Sequence, residues 1–259
     1  MKMFKKPTAY LVLIIIMVFT SADKVLATEE NNWRFVIEPY LLAASIEGDT
    51  SVGRATGLNV DVSFSDILEA LEAAFMVRAE AYHESGWGIL VDYGFIKLGK
   101  DASGPLGGVV DAEVRQGVLE TFIARQFVLQ QGHWEIYTGI RWWDNDIDVT
   151  IDPAIRPGSI NLSVKEGWVD PVVGAQLGMP LSESFSLVLR GDVGGFGISS
   201  DFTALVAAGI HYRFTKMISL DVRYKALWVD YENGTKGTPD YFSYKTVTHG
   251  PILGVIFEF

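Results

Sequence analysis

GPILGVIFEF, residues 250–259, alternates along its whole length. Pro251, Leu253, Val255, Phe257 and Phe259 share one parity, and Gly250, Ile252, Gly254, Ile256 and Glu258 share the other. A period of two residues marks a β-strand whose two faces meet different surroundings. The stretch finishes on an aromatic, where chain ends usually carry small or polar residues in solvent. A strand that stays apolar to its final residue is expected to be paired along its length. The partner that completes a sheet here is the first strand, and closure removes the unpaired N–H and C=O groups of an edge.

The same alternation runs through the rest of the chain. WRFVIEPYLLA (33–43) is one such segment, and FMVRAEAYHESGWGILVDYGFIKLG (75–99) splits into two strands at His83-Glu84-Ser85-Gly86, a short turn with its Gly. Tight turns are expected near Gln130–Gly132, Pro180–Ser184 and Thr215–Met217, and wide connections near 100–108, 152–160, 194–201 and 232–240. Short turns on one rim and long loops on the other are the pattern of a transmembrane barrel. The strands expected are 33–46, 73–84, 87–99, 109–130, 133–150, 160–180, 185–196, 202–214, 218–231 and 241–259. That gives an all-β, closed antiparallel transmembrane barrel of about 10 strands, with 8 or 12 left open. Residues 50–63 can pair as a further strand, and SDILEALEA (65–73) reads as one short helix after the first strand. Asp66 followed by Glu69 suggests its capping box, and Ile67, Leu68 and Leu71 form its apolar stripe. The helix either caps a loop or folds into the lumen.

The two faces of each strand differ in kind. In WGILVDYGF (87–95), Trp87, Ile89, Val91, Tyr93 and Phe95 oppose Gly88, Leu90, Asp92 and Gly94. In SLDVRYKALW (219–228), Leu220, Val222, Tyr224, Ala226 and Trp228 oppose Asp221, Arg223 and Lys225. In FSLVLRGDV (185–193), Phe185, Leu187, Leu189 and Val193 oppose Ser186, Arg190 and Asp192. A soluble sandwich also alternates, but turns its charged face to water. Here the second face mixes both signs of charge with glycine, as a narrow polar lumen requires. The lumen set read this way begins with Arg78, Glu80 and Asp92 on the early strands. It continues through Glu135, Arg141 and Asp170, the last expected to pair with an arginine. Arg190, Asp192, Arg213, Asp221 and Arg223 complete it. Trp87, Trp134, Trp142, Trp143, Trp168 and Trp228 lie near strand ends, where interfacial girdles are expected.

The N-terminus stands apart. Lys2, Lys5 and Lys6 precede AYLVLIIIMVF, and Val25-Leu26-Ala27 supplies small residues before Thr28. This is the layout of a secretory signal peptide over 1–27, leaving 28–259 as the barrel domain. The competing reading, a retained anchor, needs about 20 apolar residues, more than this run holds. Removing four Lys and one Asp from totals of 21 basic and 32 acidic residues leaves 17 and 31, net −14. So acidic a chain is a poor match for nucleic acid. With no cysteine, disulfides and a lipidated cysteine are excluded.

A terminal aromatic behind alternating apolar residues, following an export signal, resembles the assembly signal of Gram-negative outer-membrane β-barrels, with Phe257 and Phe259 in the signal positions. The stretches WVDPVVGAQ (168–176), GDVGGFG (191–197) and HYRF (211–214) further resemble a group of small outer-membrane barrels. The resemblance implies outer-membrane location, contact with lipid and lipopolysaccharide, and delivery by the barrel assembly machinery. Its internal motifs bring no assigned activity. Deleting Phe259 is expected to block membrane assembly while leaving export intact. Normal assembly of that variant, seen as an unchanged heat-modifiable band on a gel, contradicts the reading.

No catalytic constellation is visible. His83 and His133 sit at short turns, His211 shares parity with Arg213, and His249 in THGP has no recognisable nucleophile and acid beside it. Asp144, Asp146 and Asp148 in DNDIDVTID (144–152) have the rhythm of a calcium loop, but Val149 replaces the required Gly and Ile155 the bidentate Glu. GDVGGFG lacks the G-x-G-x-x-G register of a nucleotide loop, and its glycines suit a tight bend. The expectation is therefore a non-enzymatic barrel without metal or cofactor, in a structural or surface-interaction role with its loops exposed outside. A narrow pore for ions or small solutes is the alternative, and an outer-membrane enzyme acting on lipid or peptide the third reading. The barrel's lumen charges serve either as a ladder of salt bridges or as the lining of a narrow pore.

Overall fold

The computed structural model describes residues 32–103, 109–152 and 159–259. The expected signal segment and much of the loops near 100–108 and 152–160 lie outside these residues. The described residues form twelve strands and one helix. The first three strands are β1 (Trp33–Leu42), β2 (Ser45–Val52) and β3 (Ala55–Val62), followed by helix α1 (Phe64–Ala70). Next come β4 (Leu71–His83), β5 (Trp87–Ser103), β6 (Val109–Val128) and β7 (His133–Asp152). The remaining strands are β8 (Ile160–Pro180), β9 (Phe185–Gly194), β10 (Phe202–Arg213), β11 (Ile218–Asn233) and β12 (Phe242–Glu258).

Ten of these, β1 and β4 to β12, form a closed antiparallel barrel, because β1 pairs with β4 on one side and with β12 on the other. Closure runs from Val36 opposite Glu258 to Leu42 opposite Ile252. Phe35 and Phe259 exchange backbone hydrogen bonds of 3.1 and 2.9 Å, so the ladder continues to the last residue. An open edge in hydrocarbon would leave groups unpaired at several kcal/mol each.

The strand expected over 33–46 breaks at Ala43-Ala44, and its continuation, β2, pairs with the other half of β12 through Phe242–His249. The segment 50–63 does add a strand, as a β2–β3 hairpin above the ring of ten. Helix α1 joins β3 to β4 on the same, wide-loop rim. Its capping box stands three residues earlier than the spacing suggests. Ser63 is the N-cap and its Oγ accepts from Asp66 N at 3.3 Å, while Asp66 accepts from Ser63 N at 3.1 Å. The Ser63 hydroxyl also donates to the Asp66 carboxylate at 2.5 Å, and this bond, with the one from Ser63 N, holds the carboxyl below its ordinary pKa. Of the apolar stripe only Ile67 is buried; Leu68 and Leu71 are exposed.

The outward parity is apolar over a limited height. On β7 it runs Trp134, Ile136, Thr138, Ile140, Trp142, all exposed. Nine residues of tilted strand give a band roughly 20 Å tall, the scale of a membrane barrel's apolar belt. Beyond it the outer face becomes ionic. Lys97 bridges Glu72 and Glu113 at 2.9 Å each, Asp146 takes Lys165 at 3.1 Å and also Arg115, and Lys245 bridges Asp230 and Glu232. The DNDID run is thus a strand whose aspartates face outward, with Asp146 neutralised by two cations.

Candidate functional site

Because every strand alternates, register decides which inward side chains meet. Glu120 lies opposite Asp92 on β5 and Arg141 on β7. Arg141 donates from Nε to Glu120 Oε1 at 2.7 Å, from Nη2 to Asp192 Oδ1 at 3.0 Å and from Nη1 to Thr203 Oγ1 at 3.1 Å. Arg190 donates to the second Glu120 oxygen at 2.8 Å and to the Tyr137 hydroxyl at 2.9 Å; Tyr137 in turn donates to Asp192 at 3.0 Å. Two arginines and two carboxylates form one closed set.

A second set fills the rest of the section. Glu38 accepts from Arg223 at 2.7 Å and from Arg78 at 3.4 Å. Asp92 accepts from Arg78 at 2.9 and 3.1 Å and from the Tyr40 hydroxyl at 2.7 Å. Asp221 accepts from Arg223 at 2.6 Å and lies 3.0 Å from His211 Nε2. Arg141 and Asp221 are 0 % exposed, and the other members of the two sets apart from His211 are nearly as closed off. Buried charges are tolerable only when paired and hydrogen-bonded in this way. Together the sets make an ionic septum across the barrel.

Of the lumen residues read from sequence, Arg78, Asp92, Arg141, Arg190, Asp192, Asp221 and Arg223 belong to the septum. Glu135 points inward below it and accepts from Tyr82. Glu80 and Arg213 line the cavity at the short-turn rim, and among the described residues neither enters a side-chain ion pair. Asp170 is inward and fully buried, but its oxygens accept from Trp168 Nε1 at 3.0 Å and from Ser200 N and Oγ at 2.8 Å each, not from an arginine. The glycine bend after β9 brings Ser200 there: Gly195, Phe196 and Gly197 all have positive φ. Glu38 and Glu120, the carboxylates at the centre of each set, were absent from the sequence reading. Parity alone could have found them, since Glu38 alternates with Val36 and Tyr40, and Glu120 with Phe122 and Val118.

The interior above the septum is not ionic. Trp143 and Trp168, expected in the outer girdle, point inward and are 2 % and 5 % exposed. Trp168 stacks on Tyr231 with ring centroids 3.9 Å apart and on Trp143 at 5.3 Å. Leu205, Leu227, Val229 and Phe242 pack with them. The septum therefore separates two different spaces. Towards the short-turn rim lies a polar cavity of about 370 Å³, reached by Arg34, His133, Gln176 and Arg213. Towards the wide-loop rim lies an apolar one of about 310 Å³. On the outer wall, His249 lies 2.7 Å from the Tyr224 hydroxyl through Nδ1 and 3.3 Å from Glu47 through Nε2, a juxtaposition that THGP alone did not reveal.

No protein-family model matches this sequence, and no curated protein is detectably similar to it. Solved structures are similar in fold. The translocator domain of autotransporter NalP from Neisseria meningitidis matches with a TM-score of 0.50 and 12 % identity over 96 % of each chain. The outer-membrane protease OmpT from Escherichia coli matches with a TM-score of 0.53 and 11 % identity, over 90 % of this chain and 98 % of that one. At such identities the likeness is one of architecture: the fold is that of outer-membrane β-barrels.

Proposed function

From the premise of an outer-membrane β-barrel fold, we propose that this chain is a closed surface barrel. It sits in outer-membrane lipid after export and cleavage near Ala27. Its wide-loop rim and the tall β5–β8 wall face the cell exterior for interaction, and lipopolysaccharide surrounds the ionic belt. Delivery by the assembly machinery through the Phe259 end belongs to the same reading. The septum is the observation that carries it. Arg141, Arg190, Arg78 and Arg223 with their carboxylates occupy the section between the two cavities and are nearly inaccessible. In planar bilayers the wild-type barrel is expected to show no unitary conductance steps.

One observation favours a second reading. The septum is a single layer, with Glu38, Arg78 and Arg223 lining one cavity and Asp92 and Glu120 the other. A small rearrangement of side chains would join the two spaces. Steady wild-type steps that Arg223→Glu or Asp192→Arg abolishes would replace the closed barrel with a narrow pore. The proposal includes no catalytic step, and lipid or peptide hydrolysis lost on His249→Ala would overturn that part of it.

A further inference from the structure

The cavity on the wide-loop side has a lining unlike that of the septum beneath it. Its walls are Leu42, Met76, Ile96, Val118 and Leu227, with Trp143 and Ile67 of helix α1 closing parts of the space. At about 310 Å³ it falls at the small end of the range for small-molecule pockets, roughly 300–1,000 Å³. Gly94 leaves room in it: a Cβ added there would meet only the Met76 side chain, at 3.9 Å.

The polar groups in this lining fall into two classes. Asp92 is committed to Arg78 and Tyr40, and Glu120 to Arg141 and Arg190. Lys225 is not committed. Among the described residues no carboxylate lies within 4 Å of its Nζ, and it makes no hydrogen bond. The buried indole N–H of Trp143 is likewise without a partner among the described residues. Lys225 is half-buried on this wall, so a cation with no matched acceptor borders an apolar space, and the enclosed Trp143 N–H is an unmatched donor in the same lining. A cation on an apolar wall has the chemistry that recognises a carboxylate carrying a hydrocarbon body.

We infer that this cavity binds a hydrophobic monocarboxylate of medium chain length, its chain among Leu42, Val118 and Leu227 and its carboxylate on Lys225. The inference does not rest on the barrel being closed to ions; a conducting barrel could hold the same ligand. The competing role for Lys225 is to offset Asp92 and Glu120 at longer range, as part of the septum alone.

The test uses the full barrel reconstituted in phosphatidylcholine nanodiscs, with empty nanodiscs subtracted. Decanoate and decanol are titrated by calorimetry, and the part of the fluorescence change lost in Trp143→Phe, one of seven tryptophans, reports on the cavity. Decanoate is expected to bind saturably. Decanol is expected to bind about tenfold or more weakly, since a hydrogen bond to a charged group is worth about 1.5–3 kcal/mol. Lys225→Met should weaken decanoate by the same factor and leave decanol unchanged, while Lys225→Arg retains decanoate binding. Gly94→Phe, which fills the cavity one inward position beyond Asp92 on β5, should abolish both and keep the heat-modifiable band. Uptake equal to that of empty nanodiscs, equal affinity for the acid and the alcohol, or undiminished binding in Gly94→Phe would each overturn the assignment. So would a Lys225→Met barrel that loses stability yet binds decanoate as the wild type does. That result would return Lys225 to the septum.

Discussion

Arg141→Ala is expected to lower the unfolding free energy of the barrel by about 3–5 kcal/mol, the cost of leaving buried charges without their partner. Arg141 is fully enclosed and holds Glu120, Asp192 and Thr203 at once. Its removal strands one oxygen of each carboxylate where water cannot replace the lost donors. Arg190 still reaches Glu120, so the set is weakened rather than emptied. Urea titration of barrels refolded in vesicles, followed by tryptophan fluorescence, measures the change. Glu80→Ala is the matched control. Glu80 faces the same lumen without a side-chain ion pair, and its loss should stay within about 0.5 kcal/mol. Equal effects at the two positions would mean that the septum is not the stabilising element it is taken to be here.

The second large effect is expected at the barrel's closure. At Gly250, β12 stops pairing with β2 and begins pairing with β1. The Ala43 amide donates to the Pro251 carbonyl at 2.9 Å at this changeover. A Cβ on Gly250 would overlap the Ala43 carbonyl oxygen, which is backbone and cannot swing aside. Gly250→Val is expected to cost about 3 kcal/mol or more, at or beyond the upper end of ordinary overpacking, because the clash falls on main chain rather than on a mobile side chain. The measurable sign is a reduced fraction of the compact, unheated species on a gel. Gly94→Ala, whose added methyl group would make only an ordinary contact with the Met76 side chain, should leave that fraction unchanged.

These two sites also mark how far the sequence could be read. Strand parity, the short-turn rim, the ring of ten and the meeting of the last strand with the first were all legible, because a period of two is imposed on every residue of a barrel wall. The partner change at Gly250 was not legible. It depends on the register between strands some two hundred residues apart, and nothing local distinguishes this glycine from those in other strands. The apolar half of the lumen was hidden for a different reason. Where both parities are apolar, lipid and an apolar interior select the same residue types, so Trp143 resembled a girdle residue. The pair Trp142-Trp143 held the available clue: neighbours on a strand point to opposite sides, so one of the two had to face in. Glu38 and Glu120 were legible by parity, since each shares the inward side of its strand with Val36 and Tyr40 or with Val118 and Phe122. The ligands of Asp170 could not have been foreseen, since Ser200 reaches it only through the positive-φ bend after β9.

The bond between Glu38 and Arg223 joins residues 185 positions apart, and Phe35 meets Phe259 across almost the whole described chain. Contacts of such long range are slow to form and are rewarded only when both ends are present. Wall and interior must therefore be completed by one terminal event. A nascent copy lacking its final hairpin has Glu38 facing only Arg78, and it exposes two strand edges at the same time. Unfinished copies therefore differ from finished ones in charge balance as well as shape.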